Sequence, residues 1–213
     1  MGAQAKEPSG TTEPTRLSLF PKPTPSSKVR LMKNHTLGLC LLLLPFFSAC
    51  EKMADVNSPQ FYSKDGLSFS FPGNWKITEE EVFEALGEKT KIINVESPGD
   101  AIVIICAYGF EVDQTLKEFA KEFTENMKGE IPLGKVGESR FSGIKREGKT
   151  GQMQGLRNKL EMTFVGESIP HVQEFFALKK QGKTAFIVCQ SAEEDLKKTE
   201  PAFGQIVGSF ELE

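Results

Sequence analysis

Hydrophobic and polar residues alternate along residues 67–71, where Leu67, Phe69 and Phe71 are separated by serines. A period of two is typical of a β-strand with one buried face. Residues 101–106 are apolar at every position, which predicts a central strand, extending to residue 108, with structure packed on each face. Further strands are predicted from residue 75 onward and at residues 92–95, 142–149, 156–165, 171–179 and 184–190.

The spacing of apolar residues changes to a helical period at residues 115–128. Leu116, Phe119, Ala120, Phe123 and Met127 fall on one face of a helix there, and charged residues occupy the other face. Asp113 is predicted to cap its start and Gly129 to end it. A second helix is predicted at residues 192–210, opened by Ser191 and divided into two pieces by Pro201.

The strands between residues 142 and 190 are joined by short turns, which predicts an antiparallel meander. The order strands, helix, strands, helix then predicts an α+β domain, an antiparallel sheet flanked by helices. Phe175 and Phe176 are adjacent in a predicted strand and therefore point to opposite faces, so we expect both faces of the sheet to be covered.

Residues 66–75 (GLSFSFPGNW) and 206–210 (IVGSF) resemble the PsbP-like fold, a group that includes bacterial DcrB-type lipoproteins. The resemblance covers most of residues 64–213 and implies an α/β/α sandwich. Its motifs describe packing, and no catalytic residue comes with them.

Before this domain, residues 36–49 form an uncharged run rich in leucine and phenylalanine, behind the basic start Met32-Lys33. The run is too short to span a bilayer as a helix, and its position is typical of an export signal. It ends in Phe47-Ser48-Ala49-Cys50, which resembles the bacterial lipobox, with phenylalanine in place of the usual leucine. The resemblance implies that Cys50 becomes the first residue of the mature protein and carries diacylglycerol and an amide-linked acyl chain.

These observations divide the chain into four parts. Residues 1–31 are rich in proline and polar residues and are predicted to be a disordered extension, or to lie upstream of a true start at Met32. Residues 32–49 are the predicted lipoprotein signal peptide and 50–63 a polar, lipidated tether. Residues 64–213 form the predicted single domain. Glu51 follows the modified cysteine, and a residue other than aspartate there resembles an outer-membrane sorting signal.

The charge of the chain is unevenly distributed. Residues 1–49 hold six basic and two acidic side chains, so of the 26 basic and 29 acidic side chains in the chain, 20 and 27 lie in residues 50–213. An acidic body repels phosphate backbones, which argues against nucleic acid as a partner. The expected partners are the membrane, through the lipid anchor, and an unidentified envelope protein.

Two cysteines, Cys106 and Cys189, remain in the predicted domain, both in apolar strand-like runs. An exported compartment permits a disulfide between them, and the alternative is two small buried thiols. One histidine, His171, remains as well, and its position beside Pro170 predicts a surface location. It is too isolated for a nucleophile and base pair or a metal site, so we expect neither metal nor cofactor.

The sequence therefore predicts a membrane-anchored envelope lipoprotein that faces the periplasm, on the outer rather than the inner membrane, and acts as a non-catalytic binding or assembly module. The alternative is an envelope enzyme that uses acidic residues such as Glu79, Glu80 or Glu96, the first two of which lie in an acidic run. A pocket that holds two carboxylates with raised pKa values would support the enzyme, and a flat acidic surface would not.

Overall fold

The fold is taken from a computed structural model that describes residues 51–85, 87–130, 134–149, 151–164 and 166–213. The predicted signal peptide and the predicted lipidation site Cys50 lie outside the described residues. Within those ranges, no helix combines the length and the apolar character that crossing a bilayer requires.

The described residues form strands, two α-helices and a short 3₁₀-helix at Glu193–Asp195. The elements in chain order are β1 (Gln60–Lys64), β2 (Leu67–Phe71), β3 (Lys76–Ala85), β4 (Glu88–Glu96), β5 (Ile102–Tyr108), α1 (Leu116–Glu130), β6 (Gly134–Val136), β7 (Arg140–Gly148), β8 (Gly151–Phe164), β9 (Glu167–Lys180), β10 (Lys183–Ala192), α2 (Leu196–Ser209) and β11 (Glu211–Leu212).

The strands form a large and a small antiparallel sheet. The large sheet has the order β3-β4-β5-β10-β9-β8-β6, and β7 also pairs with β8. The small sheet has the order β1-β2-β11. The small sheet was not predicted, because residues 60–63 of β1 were assigned to the tether. The other partner of β2 is β11, far along the chain, and no local pattern indicates that pairing.

Both faces of the large sheet are covered, as the adjacent Phe175 and Phe176 predicted, since both side chains are fully buried. On one face, Phe119 of α1 stacks on Phe186 with 4.0 Å between ring centroids. On the other face, Phe176 belongs to a core that includes Phe203 of α2 and the apolar residues of the small sheet. The predicted α+β class, an antiparallel sheet flanked by helices, is confirmed.

Residues 51–63 differ from the predicted tether, because they pack on the domain and end in a strand. Glu51 is 3% exposed and Ala54 is 5% exposed. The Ala54 amide donates to the Lys198 carbonyl in α2 at 3.1 Å, and the Gly73 amide donates to the Asp55 carbonyl at 2.9 Å. The domain therefore includes the segment from Glu51 onward. Its polar composition hid this, since most of its contacts are made by backbone groups.

The start of α1 is capped by Thr115, not by Asp113 as predicted. The Thr115 hydroxyl accepts from the Glu118 amide at 3.3 Å, and the Glu118 carboxylate accepts from the Thr115 amide at 3.0 Å. This reciprocal pair is a capping box. The motif is present in the sequence as Thr115-x-x-Glu118, but the prediction chose Asp113, two residues earlier, because aspartate is also a common cap residue.

The second helix also differs from its prediction at both Ser191 and Pro201. Ser191 lies in β10, and the first residues after that strand form the 3₁₀-helix. The helix α2 then continues through Pro201 without interruption. Pro201 is exposed, while Ala202, Phe203, Ile206 and Val207 are fully buried. Burial of that apolar face outweighs the loss of one backbone hydrogen bond.

Cys106 and Cys189 are both free and buried. Cys106 lies opposite Phe186 in the pairing of β5 with β10, so the two side chains share a face. Cys189 is three residues from Phe186 and faces the other side of the sheet. The alternative of two separate buried thiols is correct, and the disulfide is excluded by this geometry.

Candidate functional site

A groove of about 380 Å³ opens at one end of the two sheets. It lies where the β1–β2 turn, the β3–β4 hairpin, the end of β5 and the start of β10 meet. Its floor is apolar and its rim carries charges of both signs. The residues that line it include Asp65, Leu67, Val82, Glu84, Glu88, Lys89, Lys91, Ala107, Tyr108, Lys183 and Leu212. We call this site the groove.

The β1–β2 turn that borders the groove is fixed by its sequence. Asp65 and Gly66 both have positive φ angles, 53° and 73°, and Lys64 pairs with Leu67 across them. A two-residue Asp-Gly turn of this kind matches the twist of a hairpin. The turn holds the carboxylate of Asp65 at the rim.

Lys91 lines the groove because of the alternation in β4. Lys91, Ile93 and Val95 share one face, and the two apolar residues are fully buried. Lys91 continues this buried row and is itself only 7% exposed. The predicted strand at residues 92–95, extended by one residue, would have placed Lys91 on the buried face, so the sequence contained a signal for it.

A network of polar contacts surrounds the Lys91 ammonium group. Its Nζ atom donates to Asp65 Oδ2 at 2.6 Å and to the Tyr62 hydroxyl at 3.0 Å. Glu80 Oε1 accepts from the Tyr62 hydroxyl at 2.8 Å, and Glu80 Oε2 accepts from Lys64 at 2.9 Å. The network joins the small sheet, through β1 and its turn, to strands β3 and β4 of the large sheet.

The network shifts the pKa of each member away from neutral pH. Burial disfavours the charged form of Lys91, but hydrogen bonds with Asp65 and Tyr62 outweigh it, so the Lys91 pKa is raised. The hydrogen bond from Lys91 lowers the pKa of the Asp65 carboxyl. Hydrogen bonds from Lys64 and Tyr62 lower the pKa of the Glu80 carboxyl. Lys91, Asp65 and Glu80 are therefore all charged at neutral pH.

Tyr108, at the end of β5, is among the residues that line the groove. Its ring contacts Phe110 and Phe186 edge to face, with centroids 5.6 Å and 6.2 Å away. Burial raises the pKa of the Tyr108 hydroxyl well above its ordinary value. The tyrosine is therefore neutral at neutral pH. Its ring lies on the face of the sheet that Phe186 shares with α1, whereas Ala107, opposite Lys91, lies on the groove side.

The acidic residues Glu79, Glu80 and Glu96 do not come together. Glu79 and Glu80 are neighbours on β3 and point to opposite faces, Glu79 accepting a hydrogen bond from Asn94 and Glu80 joining the Lys91 network. Glu96 pairs with Lys76, four residues from Glu80 along β3, which corresponds to about 13 Å. The pKa of Glu80 is lowered rather than raised. These three residues therefore do not form a pair of adjacent carboxylates.

His171 lies inside β9 and is 7% exposed, so the predicted surface location is wrong. Its Nδ1 atom is 2.9 Å from the Ile169 carbonyl oxygen. The strand begins at Glu167, before Pro170, which places the histidine in its interior. In the part of the chain that the structure describes, no group of three His, Cys, Asp or Glu side chains is arranged to hold a metal ion.

A second polar cluster, which the sequence did not predict, joins α2 to the large sheet around Glu174. The Glu174 carboxylate is fully buried and accepts hydrogen bonds from Arg146 at 2.7 Å and Arg157 at 2.5 Å. Arg146 also approaches Glu200 of α2 at 3.4 Å. The arginines come from β7 and β8, so only the tertiary structure assembles the cluster. We assign it a structural role because its acidic centre is closed to solvent.

No protein-family model and no curated protein sequence matches the chain. Among solved structures, it is similar to cyanobacterial PsbP (CyanoP) from Synechocystis sp. PCC 6803, with 14% identity and a TM-score of 0.49 over 73% of this chain and 93% of that one. It is also similar to LpqN of Mycobacterium tuberculosis, described as involved in cell envelope biogenesis, with 10% identity and a TM-score of 0.40 over 72% and 88% of the two chains.

A protein of unknown function from Pseudomonas aeruginosa, described as a putative regulator, is similar at 16% identity and a TM-score of 0.33 over 69% of this chain and 92% of that one. At these identities the similarities concern the fold alone and say nothing about function.

Proposed function

We propose that the chain is a lipid-anchored protein of the bacterial cell envelope that acts as a non-catalytic binding or assembly module. One observation carries the proposal: an export signal that ends in a lipobox-like cysteine directly precedes a folded domain. The domain would face the periplasm. Glu51, as the residue after the modified cysteine, favours the outer membrane over the inner one.

The groove is the binding site in this proposal. Lys91, Asp65 and Glu80 are fixed in charged states by one another, and Tyr108 is held neutral. General acid and base catalysis works best with a group whose pKa lies near the working pH. The shifts of these four groups run away from neutral pH, which supports binding rather than proton transfer. The alternative, an envelope enzyme that uses Glu80, would be supported by a raised carboxyl pKa, whereas the pKa of Glu80 is lowered.

The lining of the groove indicates the chemistry of its partner. Leu67, Val82 and Leu212 supply apolar surface, and Val82 is 51% exposed in the present structure. Lys89 and Glu88 stand at the rim as charges of opposite sign. We expect a segment of an envelope protein that inserts an apolar side chain and places polar groups at the rim.

The anchor is tested by palmitate labelling and intact mass measurement of the wild type and of Cys50→Ala in bacterial cells. We expect the wild type to carry label, to begin at residue 50 and to fractionate with membranes. Cys50→Ala should lose both the label and the membrane fractionation. A soluble, unlabelled wild type would remove the lipid anchor and the proposal with it.

The groove is tested by photo-crosslinking in cells, with a photoreactive amino acid at Val82. The matched control places the same amino acid at Lys145, an exposed position in β7 outside the groove. We expect a discrete protein adduct from position 82 and none from 145. Adducts from position 145 alone would assign binding to another surface, and the lack of adducts at both positions would count against a binding module.

A further inference from the structure

The domain has two distinct ends, and the groove lies at only one of them. Strand β4 runs from Glu88, which lines the groove, to Glu96, which precedes the β4–β5 turn at residues 97–101. Eight residue steps at about 3.3 Å give a separation of about 26 Å. Strands β2 and β5 run between the same two ends, since Leu67 and Tyr108 both line the groove.

The first described residue, Glu51, is fixed at the end opposite the groove. Its Oε2 atom accepts a hydrogen bond from the Ser97 hydroxyl at 2.6 Å and from the Ala101 amide at 3.4 Å. The carboxylate also lies against Gly99 so closely that a Cβ atom there would be 2.3 Å from Oε2. The side chain of Glu51 is thus seated in the β4–β5 turn.

The residues that follow Glu51 are held at the same end. The Asn74 side chain donates to the Met53 carbonyl at 3.0 Å and accepts from the Asp55 amide at 2.8 Å. The Ala54 amide is bonded to the Lys198 carbonyl near the start of α2. We call the surface formed by residues 51–55, 73–74 and 97–101 the anchor end.

We propose that the anchor end lies directly on the bilayer surface and that the groove faces away from the membrane. The inference rests on the proposed function, because it requires lipid on Cys50. Successive Cα atoms are about 3.8 Å apart, so a lipid on Cys50 is attached one residue from a buried side chain. So short a linker does not allow the domain to move away from the bilayer.

The exposed side chains of the anchor end suit a lipid surface. Met53 is 62% exposed and is one of the large hydrophobic residues on the surface of the described chain. Lys52 beside it is exposed and can contact anionic headgroups. A single apolar side chain adds little affinity by itself, so its effect depends on the lipid anchor holding it at the interface.

The orientation places the binding groove about 26 Å from the membrane, measured along β4. A partner of the groove would then approach from the aqueous side of the envelope or from the opposite membrane. A lipid of the membrane that holds the anchor could not reach it.

The orientation can be measured by fluorescence quenching in reconstituted vesicles. Single cysteines are introduced by Asp100→Cys and Met53→Cys at the anchor end and by Glu88→Cys at the groove end, all at exposed positions. The processed, lipidated proteins are labelled with a fluorophore and placed in phosphatidylethanolamine and phosphatidylglycerol vesicles that carry a spin-labelled headgroup. Cys106 and Cys189 are buried, so protein without an added cysteine serves as the labelling blank.

We expect labels at positions 53 and 100 to be quenched several-fold more than the label at position 88. Equal quenching, or stronger quenching at position 88, in a protein shown by mass to be lipidated overturns the orientation and leaves the proposed function standing. A protein without lipid on Cys50 overturns both.

A variant with a longer linker is the matched control for the short connection between Cys50 and the domain. A flexible Gly/Ser insert of about 12 residues between Cys50 and Glu51 spans about 20 Å on average. It should leave lipidation intact and remove most of the difference in quenching between positions 100 and 88. If the difference persists unchanged, the short connection is not what orients the domain and the proposal is wrong.

Discussion

At the scale of single residues, two buried charged side chains, Lys91 and Glu174, lie inside the large sheet, in addition to the buried Glu51 at its end. Lys91 and Glu174 each stand in a strand position where the alternation predicts an apolar residue, and each is surrounded by groups of opposite charge from distant parts of the chain. A buried charge is tolerated only when it is paired and hydrogen-bonded. The two residues differ in setting, because Lys91 borders the groove whereas Glu174 is closed off beneath α2.

Replacement of Lys91 tests the network of the groove. Lys91→Met should lower the free energy of unfolding by about 1–2 kcal/mol, since it leaves Asp65 and Glu80 without their shared cation while both remain partly hydrated. The measurement is urea unfolding at neutral pH. Lys89→Met, an exposed change in the same strand, is the control and should stay within about 0.5 kcal/mol. Equal losses in the two variants would contradict the assigned role.

The pH dependence of stability should report the same network. The pKa values of Asp65 and Glu80 are lowered from their ordinary values of 3.8 and 4.5, so their ion pairs stabilise the fold above those values. The stabilisation is lost as the pH falls through the lower pKa values of the folded state. Wild type should therefore lose more stability than Lys91→Met between pH 5 and pH 2, measured by urea unfolding at each pH. A parallel decline in both proteins would contradict the prediction.

Replacement of Glu174 tests the closed cluster. Glu174→Gln should lower the free energy of unfolding by about 3 kcal/mol, because it leaves two arginines without their buried anionic partner. The control is Glu167→Gln, an exposed position in the same strand, for which we expect a change within about 0.5 kcal/mol. The measurement is guanidinium unfolding of the two variants. If Glu174→Gln changes the free energy of unfolding as little as the control does, the cluster contributes little to stability.

At the scale of elements, the helices show how local signals and tertiary packing compete. The apolar stripe of residues 115–128 predicted α1 closely, because that stripe is what packs on the sheet. The start of the helix was predicted at the wrong residue, since Asp113 and Thr115 are both acceptable cap residues. For α2, the proline signal was overruled by the burial of the apolar face.

The capping box of α1 can be tested by a pair of alanine substitutions. Thr115→Ala should lower the free energy of unfolding by about 1 kcal/mol, because it removes the acceptor for the Glu118 amide. Asp113→Ala should change it by less than about 0.5 kcal/mol, since that side chain is exposed and does not cap the helix. Thermal and denaturant unfolding measure both, and a larger loss from Asp113→Ala would reverse the assignment.

At the scale of the whole molecule, the segment from Glu51 to β1 packs on the domain instead of forming a linker before it. The segment closes over the end of the large sheet through contacts with the β4–β5 turn, Asn74 and Lys198. It is therefore part of the domain and not a spacer.

Truncation tests this integration. A chain that begins at Gln60 should be less stable than one that begins at Glu51 by about 2 kcal/mol or more, because it loses the buried Ala54 side chain and several hydrogen bonds. A tether would predict equal stability. Denaturant midpoints of the two chains give the answer, with an unchanged slope as the sign that both unfold from the same fold.

The sequence by itself determined the elements with a strong periodicity or a continuous apolar run. These are the strands around residues 67–71, 101–108 and 171–190 and the helix at 115–128. It also determined that both faces of the sheet are covered, because Phe175 and Phe176 are adjacent. These features depend on which face of its strand or helix each residue occupies. The hydrophobic period shows which face is buried.

The tertiary structure alone decided the features that depend on partners far along the chain. The carboxylate of Asp65 reaches Lys91 across 26 positions, and Glu51 reaches Ala101 across 50. The separation of Cys106 and Cys189 onto opposite faces depends on the register between β5 and β10. Such pairings are set by the packing of the two sheets and α2. The local pattern of residues therefore indicates single parts of the groove, such as the Asp65-Gly66 turn and the buried position of Lys91, but not how the groove or the anchor end is assembled.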